Sequence, residues 1–503
     1  MKTSIPICLF PLVVTGIVAS AVPADRDFVS AESRNALVAA IDERLAAPEF
    51  SNTHWGVLFE SLEDGEVWYA KNADRNFIPA SNQKIPTAAA ALLSLGPDFV
   101  YKTPLVHTGR IEGSVLDGDL VVFGTGDPTL YERFHQDSRD VFREWAGILR
   151  DMGVERITGD IIGDDSAWEG RHVGAGWPHN SLTPWYYAEY GPLQFNENYV
   201  DLRFYPPETV DGDLEIVPNV DSDYFTLVDE IEVVEEGRNS IGMNRPVLSN
   251  TITLSGTVVA GSSPFERTPT ITNPTLFYVT VLKEVLEAEG IAVDGNPVDC
   301  DNIEGWSHQP DEFPRLATHV SPPLKEIVRL LMKRSQNMYA ETLVLTMGWK
   351  ENGFGTFAGG RSVVGEQLEP FGLDPGEFRF SDGSGLSRHN LISPAAINRI
   401  NRGMWDSDLR EVWLDSFPLA GADGTLGRRM RGTAMEGNVR AKTGTLSAVR
   451  ALSGYLTSAD GEKLLFSIIA NGHLTGPRAV DSLVEAVLDQ VATFETRPDT
   501  AGN

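Results

Sequence analysis

Ala80-Ser81-Asn82-Gln83-Lys84-Ile85-Pro86-Thr87-Ala88-Ala89-Ala90 opens an alanine-rich stretch of helical character that ends at Gly96-Pro97. Positions i and i+3 share a helix face, so the Ser-x-x-Lys spacing sets Lys84 one turn above Ser81 with its amine within reach of the hydroxyl. A serine hydroxyl is a weak nucleophile at neutral pH and needs an adjacent base. Lysine can be that base when burial at the floor of a cleft, beside another cation, favours its uncharged form. Four residues alone are more often the mark of a solvated helix start, with Ser as N-cap and Lys turned outward. The rest of the chain decides between the two.

Upstream, Leu37, Val38, Ile41 and Leu45 recur at helical spacing within 30–46 and predict a first amphipathic helix. Residues 54–62 and 66–70 read as two strands joined at Glu63-Asp64-Gly65, where Asp-Gly is a strong hairpin signal. Downstream of Pro97 the character changes to short strands such as 114–123, punctuated by glycine. Gly124 to Leu130 and Gly159 to Asp165 read as turns of one style, the first lacking the Lys-Ser/Thr of a phosphate-binding loop. From Asp201 to Arg267 the pattern is β-like, with 251–259 the clearest strand, and a helix follows from Pro274 to Glu289. Pro314 to Pro323 reads as a linker and Leu324 to Met347 as strongly helical. Strands at 439–446, 449–456 and 463–470 then form one antiparallel sheet, and a helix at 480–492 closes the domain.

At 503 residues the chain exceeds the size at which one core stops growing, so several domains are expected. An apolar content of 42% with 47 Gly and 30 Pro belongs to an ordinary folded protein. Residues 1–21 combine one lysine, an apolar run and a small-residue Ala-x-Ala ending, the pattern of a signal peptide, which predicts an exported or periplasmic protein. No later stretch is long and apolar enough to cross a bilayer. Cys8 leaves with that segment and Cys300 stands alone in the mature chain, so no internal disulfide is expected. No Cys/His grouping has metal-ligand spacing, and neither metal nor cofactor is expected. A net charge of -30 argues against nucleic acid as a partner.

Three motifs stand in order: Ser81-x-x-Lys84, Ser335-x-Asn337 and Lys442-Thr443-Gly444. Ser-x-x-Lys and Lys-Thr-Gly each occur once; Ser33-Arg34-Asn35 also fits Ser-x-Asn, but it precedes Ser81 and lies in the first helix without companions. The separation of Ser81 from Ser335 is more than twice that of Ser335 from Lys442, which places a large insertion, 98–315, between the first two motifs. The chain thereby resembles the low-molecular-mass class C penicillin-binding proteins, the D-Ala-D-Ala carboxypeptidase/endopeptidase family of the DacB type. Leu92 to Phe99, Gly126 to Leu130, Asp382 to Arg388 and Leu419 to Leu426 extend the likeness over nearly the whole mature chain.

The resemblance implies an α/β fold: a β-lactamase/transpeptidase-like domain with a five-stranded antiparallel sheet flanked by helices, carrying two smaller inserted domains. The expected division is 28–97 with 316–495 for the catalytic domain, 98–200 with 268–315 for the first insertion and 201–267 for a β-rich second one. It also implies hydrolysis of D-Ala-D-Ala or of the D-Ala-diaminopimelate cross-bridge of peptidoglycan, with peptidoglycan peptides and β-lactams as partners. In that chemistry Ser81 attacks the carbonyl and Lys84 takes its proton. Ser335, backed by Lys442, relays a proton to the leaving amine, and Asn337 bonds Lys84 and the substrate backbone. The backbone N–H groups of Ser81 and Thr445 form the oxyanion hole. Thr443 and Thr445, with Gly444 on the same strand and Lys442, receive the substrate carboxylate. Arg388, matching the family's Gly-Leu-Ser-Arg, is expected to meet a side-chain carboxylate. One departure stands out: where the family carries an Asp in W-x-x-x-D against the diaminopimelate amine, Trp177 is followed by Ser181. A β-lactamase would use the same serine, but there is neither a Glu-x-x-x-Asn companion in the expected interval nor a Tyr-x-Asn in place of Ser-x-Asn. An inactive wall-binding protein would not need all three motifs intact.

Overall fold

The computed structural model describes residues 31–170, 173–178 and 182–495. The expected signal segment, 1–21, and Ser181 lie outside them.

The two ends of the chain build one five-stranded antiparallel sheet, in the order Arg440–Leu446, Val449–Thr457, Lys463–Asn471, His54–Ser61, Val67–Lys71. The hairpin expected at Asp64-Gly65 is there, with a bulge at Phe59/Glu60. Strand side chains alternate between faces, and Lys463–Asn471 uses both. Leu464, Phe466, Ile468 and Ala470 enter the core beneath helices Ala31–Leu45 and Pro477–Ala492. Leu465 and Ile469 enter the opposite core with Ile397 and Ile400 of helix Pro394–Asp406. That second core surrounds helix Lys84–Leu95, buried from Lys84 to Leu92. Its run of alanines lets helices Asn337–Asn352 and Phe357–Leu368 pack closely against it.

The segment between the two halves forms separate sheets. One has the order Pro297–Asp299, Ile161–Asp164, Leu120–Phe123, Lys102–His107, Arg315–Val320, parallel across its first three strands and antiparallel beyond. A four-stranded sheet runs beside it, and helices Asp140–Asp151 and Pro274–Ala288 share their core through Phe142, Trp145, Phe277 and Leu282. Residues 202–267 make two three-stranded sheets, with Thr251–Val259 between Thr226–Val234 and Ser240–Asn244.

Four local expectations change. The single strand at 114–123 is two, Val115–Asp117 and Leu120–Phe123, in different sheets. The Gly159–Asp165 turn contains the buried strand Ile161–Asp164, and the 314–323 linker contains strand Arg315–Val320, paired to Lys102–His107. These strands are short and their partners remote, so no local period marks them. The helix expected over 324–347 is two, Leu324–Arg334 and Asn337–Asn352.

Candidate active site

Ser81 lies in a 3₁₀ turn, Ala80–Gln83, that feeds helix Lys84–Leu95, rather than in the α-helix itself. Ala80 before it takes φ +47°, a conformation that L residues hold only where surroundings impose it. Two glycines do so by close approach. A Cβ at Gly385, itself at φ +86°, would fall 1.8 Å from the Ala80 carbonyl oxygen, and one at Gly444 would fall 2.7 Å from that of Pro79. The glycine of Lys-Thr-Gly is therefore the price of seating the strand against the Ser81 turn.

The Lys84 amine is fully buried and meets three oxygens: Asn337 Oδ1 at 2.6 Å, the Ser384 carbonyl at 2.7 Å and Ser81 Oγ at 3.1 Å. The Asn337 orientation is fixed by its Nδ2, which donates to the Tyr186 carbonyl at 2.7 Å, leaving Oδ1 toward the lysine. A neutral amine has two hydrogens and one lone pair. Asn337 Oδ1 and the Ser384 carbonyl can only accept, so they take the hydrogens and the lone pair is left for the Ser81 hydroxyl. Burial lowers Lys84 to about 7, against the opposing charges of Asp382 and Glu341.

Across the cleft, Lys442 donates to Ser335 Oγ at 2.8 Å and to the Thr443 carbonyl at 2.9 Å. Burial first, then the charge of Lys84, pushes Lys442 well below the ordinary lysine value. Ser335 is a left-handed residue, φ +63° and ψ +39°, that ends helix Leu324–Arg334, and Asn337 begins the next helix. The break in the expected long helix is thus what lets Ser335 face Lys442 while Asn337 faces Lys84. Thr443 Oγ1 bonds Thr425 Oγ1 at 2.8 Å. Ser81, Ser335, Asn337, Thr443, Thr445 and Thr425 line one cleft of about 560 Å³, roofed by residues 185–187.

The structure adds residues that the motifs did not single out. Asp382, fully buried, accepts from the backbone of Gly385 and Ser387, from Asn390 Nδ2 and, at 2.9 Å, from Trp177 Nε1. This fixes the loop whose Ser384 carbonyl holds Lys84. Glu341 accepts from the Gly383 and Ser384 backbone N–H groups at 2.9 and 2.8 Å, and burial, then the nearby Asp382, raises it to about 8. Glu197, from the inserted part, receives Arg133 and Tyr339 at 2.9 Å each, with Gln336 Nε2 and the Tyr199 hydroxyl. It sits between Asn196 and Asn198 in a run of three left-handed residues, φ +51° to +57°. Only the Asp382 stretch carried a sequence signal, its glycines and serines.

Arg388 stands at the rim, exposed, its guanidinium donating to the Ser447 carbonyl in the turn that joins the Lys442 strand to its neighbour. Ser181 lies outside the described residues, although Trp177 ahead of it is buried against Asp382. The decoy helix 31–45 is elsewhere, with Arg34 paired to Glu66. Among the described residues no helix is long and apolar enough to cross a membrane.

The D-Ala-D-Ala carboxypeptidase 3 (S13) family matches residues 37–493. A D-alanyl-D-alanine carboxypeptidase of Actinomadura sp. (strain R39) is 34% identical over 478 residues, covering 90% of this chain and 83% of that protein. The crystal structure of penicillin binding protein 4 (dacB) from Haemophilus influenzae superposes with a TM-score of 0.75 at 26% identity, over 90% of this chain and 98% of the other. The same protein complexed with a β-lactam superposes with a TM-score of 0.70 at 25% identity, over the same shares.

Proposed function

The chain belongs to the D-Ala-D-Ala carboxypeptidase 3 (S13) family, and from that membership we propose that the Ser81 cleft hydrolyses the D-Ala-D-Ala end of peptidoglycan stem peptides, and their cross-links, through an acyl-enzyme that β-lactams trap. The protein is a serine-type D-alanyl-D-alanine carboxypeptidase. The observation that carries the assignment of residues is the Lys84 amine, buried and with both hydrogens committed elsewhere, 3.1 Å from Ser81 Oγ.

Ser81 Oγ attacks the carbonyl carbon of the penultimate D-Ala as its proton passes to Lys84. The oxyanion is received by the backbone N–H groups of Ser81 and Thr445. The C–N bond breaks as the leaving amine takes a proton from Ser335, resupplied by Lys442, which leaves the penultimate residue esterified to Ser81. The proton that Lys84 took from Ser81 makes good the one lost by Ser335 and Lys442, so Lys84 is neutral again. Water then attacks the ester with Lys84 as base, the proton it takes from water passes to Ser81 Oγ as the ester bond breaks, and free Ser81 and the carboxylate product result. Thr443, Thr445 and Lys442 hold the terminal carboxylate. Gly444 admits the strand to the Ser81 turn, and Arg388 lies where it can reach a substrate side chain at the rim. Ser181 occupies the family's acidic place. Asn337, Asp382, Glu341 and Glu197 are positioning residues in this scheme. The apolar, small-residue-ending start of the chain supports export, to the periplasm or beyond. The domain division we propose keeps the two chain ends as the catalytic unit and assigns strand Arg315–Val320 to the insertion, with which it pairs.

The test is release of D-Ala from a D-Ala-D-Ala-terminated peptide by wild type and by Ser81→Ala. The variant is expected to lose at least about 10⁴-fold in kcat. A variant that kept its rate would overturn the nucleophile.

A further inference from the structure

Beside the cleft, where the insertion meets the Ser335 turn, lies a second hollow of about 500 Å³ that the reaction as described leaves unused. Trp185 and Arg334 line both depressions, so the two meet there. Arg334 immediately precedes Ser335, which puts the junction at the end of the cleft from which the leaving amine departs.

The carboxylates on the wall are Asp201, bonded by Tyr131 and Thr268, Glu266, and the exposed Glu132, and the three arginines there are unequal in their commitments. Arg133 is paired to Glu197 at 2.9 Å and Arg203 to Glu266 at 2.7 Å. Arg334 is exposed and, among the described residues, has no carboxylate within ion-pair distance. The walls also keep large side chains in water: Trp185 is 37% exposed, Tyr205 36% and Val217 40%. A free guanidinium at the mouth and exposed rings along the wall suit an extended chain that carries a carboxylate and apolar stem atoms.

A departing D-Ala ends one carbon beyond the scissile nitrogen, in a methyl and a carboxylate, and the cleft alone can hold it. Only a leaving amine that belongs to a longer peptide has atoms to place in a hollow opening from that end. We propose that the hollow is a subsite for the leaving-strand peptide of cross-linked substrates, with Arg334 receiving a carboxylate of that peptide beyond the one held by Thr443 and Thr445, and Trp185 and Tyr205 flanking its stem. The occupant is peptide rather than glycan, because the hollow adjoins the cleft across Trp185 and Arg334 and the sugars lie several residues further along the stem. This rests on the DD-peptidase reading of Ser81.

The full-length protein and its Val217→Trp and Arg334→Glu variants test the proposal on three probes: fluorescent penicillin, a D-Ala-D-Ala-terminated monomer peptide, and a purified cross-linked peptide dimer with and without its disaccharides. In both variants the ratio of kcat/KM for dimer to that for monomer is expected to fall at least tenfold, chiefly through the KM for dimer, whether or not the sugars are present. Penicillin labelling of the variants at wild-type stoichiometry shows that the fold is kept. An unmoved ratio in labelled, D-Ala-releasing variants overturns the subsite, as does a wild type that releases D-Ala and cuts no dimer. A fall seen only with the disaccharides attached puts glycan in the hollow and overturns the peptide assignment. A wild type that takes no penicillin label instead removes the reading of Ser81 on which the subsite depends.

Discussion

At the scale of single residues, reactivity is set by where protons can go. Lys84 sits deep enough that burial brings its amine to about 7, and the charge of Asp382 holds it there against further decline. The deprotonated amine is the active base, so the second-order rate of penicillin acylation is expected to rise with pH through about 7 and level off above. Glu341, raised to about 8, is largely protonated through that range, so Glu341→Gln is expected to leave the inflection near 7. A stopped-flow pH profile checks both, and an inflection that moves to clearly lower pH in the variant would show Glu341 charged beside Lys84. Ser81, Lys84, Ser335, Asn337, Lys442 and Thr443 were all legible in the sequence because each belongs to a short motif. Glu341 and the Ser384 carbonyl were not, since a buried carboxylate in a helix and a main-chain oxygen carry no local pattern.

At the scale of elements, the decisive feature is the break at Ser335-Gln336. Nothing in Lys333-Arg334-Ser335-Gln336 signals it: there is no Gly or Pro, and helical spacing continues on both sides. The left-handed Ser335 is held by bonds formed only after folding, from Gln336 to Glu197, from Lys84 to Asn337, from Asn337 to Tyr186, and from Lys442 to Ser335 itself. Glycine tolerates this backbone, so Ser335→Gly is expected to keep stability within about 1 kcal/mol while it removes the hydroxyl. Turnover is then expected to fall about 10²- to 10⁴-fold. Urea midpoints and D-Ala release measured on the same preparation decide it, and a glycine variant with wild-type turnover would remove Ser335 from the proton path. The main sheet was legible because three of its strands run eight or nine residues and are buried on both faces as near-continuous apolar runs; the inserted strands at 161–164 and 315–320, four and six residues long, carry less of that signal.

At the scale of the whole molecule, the insertion is part of the machinery that holds the site. Trp177 anchors Asp382, the Tyr186 carbonyl orients Asn337, and Glu197 ties Gln336 and Tyr339 to Arg133. No sequence motif announces these contacts, because they join positions far apart in the chain. Removing one partner of a buried ion pair strands the other charge, at a cost of about 3–5 kcal/mol. Glu197→Ala is therefore expected to unfold at markedly lower urea. Glu197→Gln keeps the side-chain volume but turns an NH2 toward groups that donate, so it is expected to fold with a smaller loss of stability than the alanine variant, with acylation slowed about tenfold in its limiting rate and little change in half-saturation. A loss confined to stability would make Glu197 structural only.

Ser81, joined in space to motifs from the far half of the chain, is the nucleophile we expect to be acylated, and intact-protein and peptide mass spectrometry after exposure to benzylpenicillin locates the adduct. The expected result is one adduct per chain, carried by the peptide containing Ser81 and absent from Ser81→Ala. An adduct on any other residue, or one that persists in the variant, would contradict it.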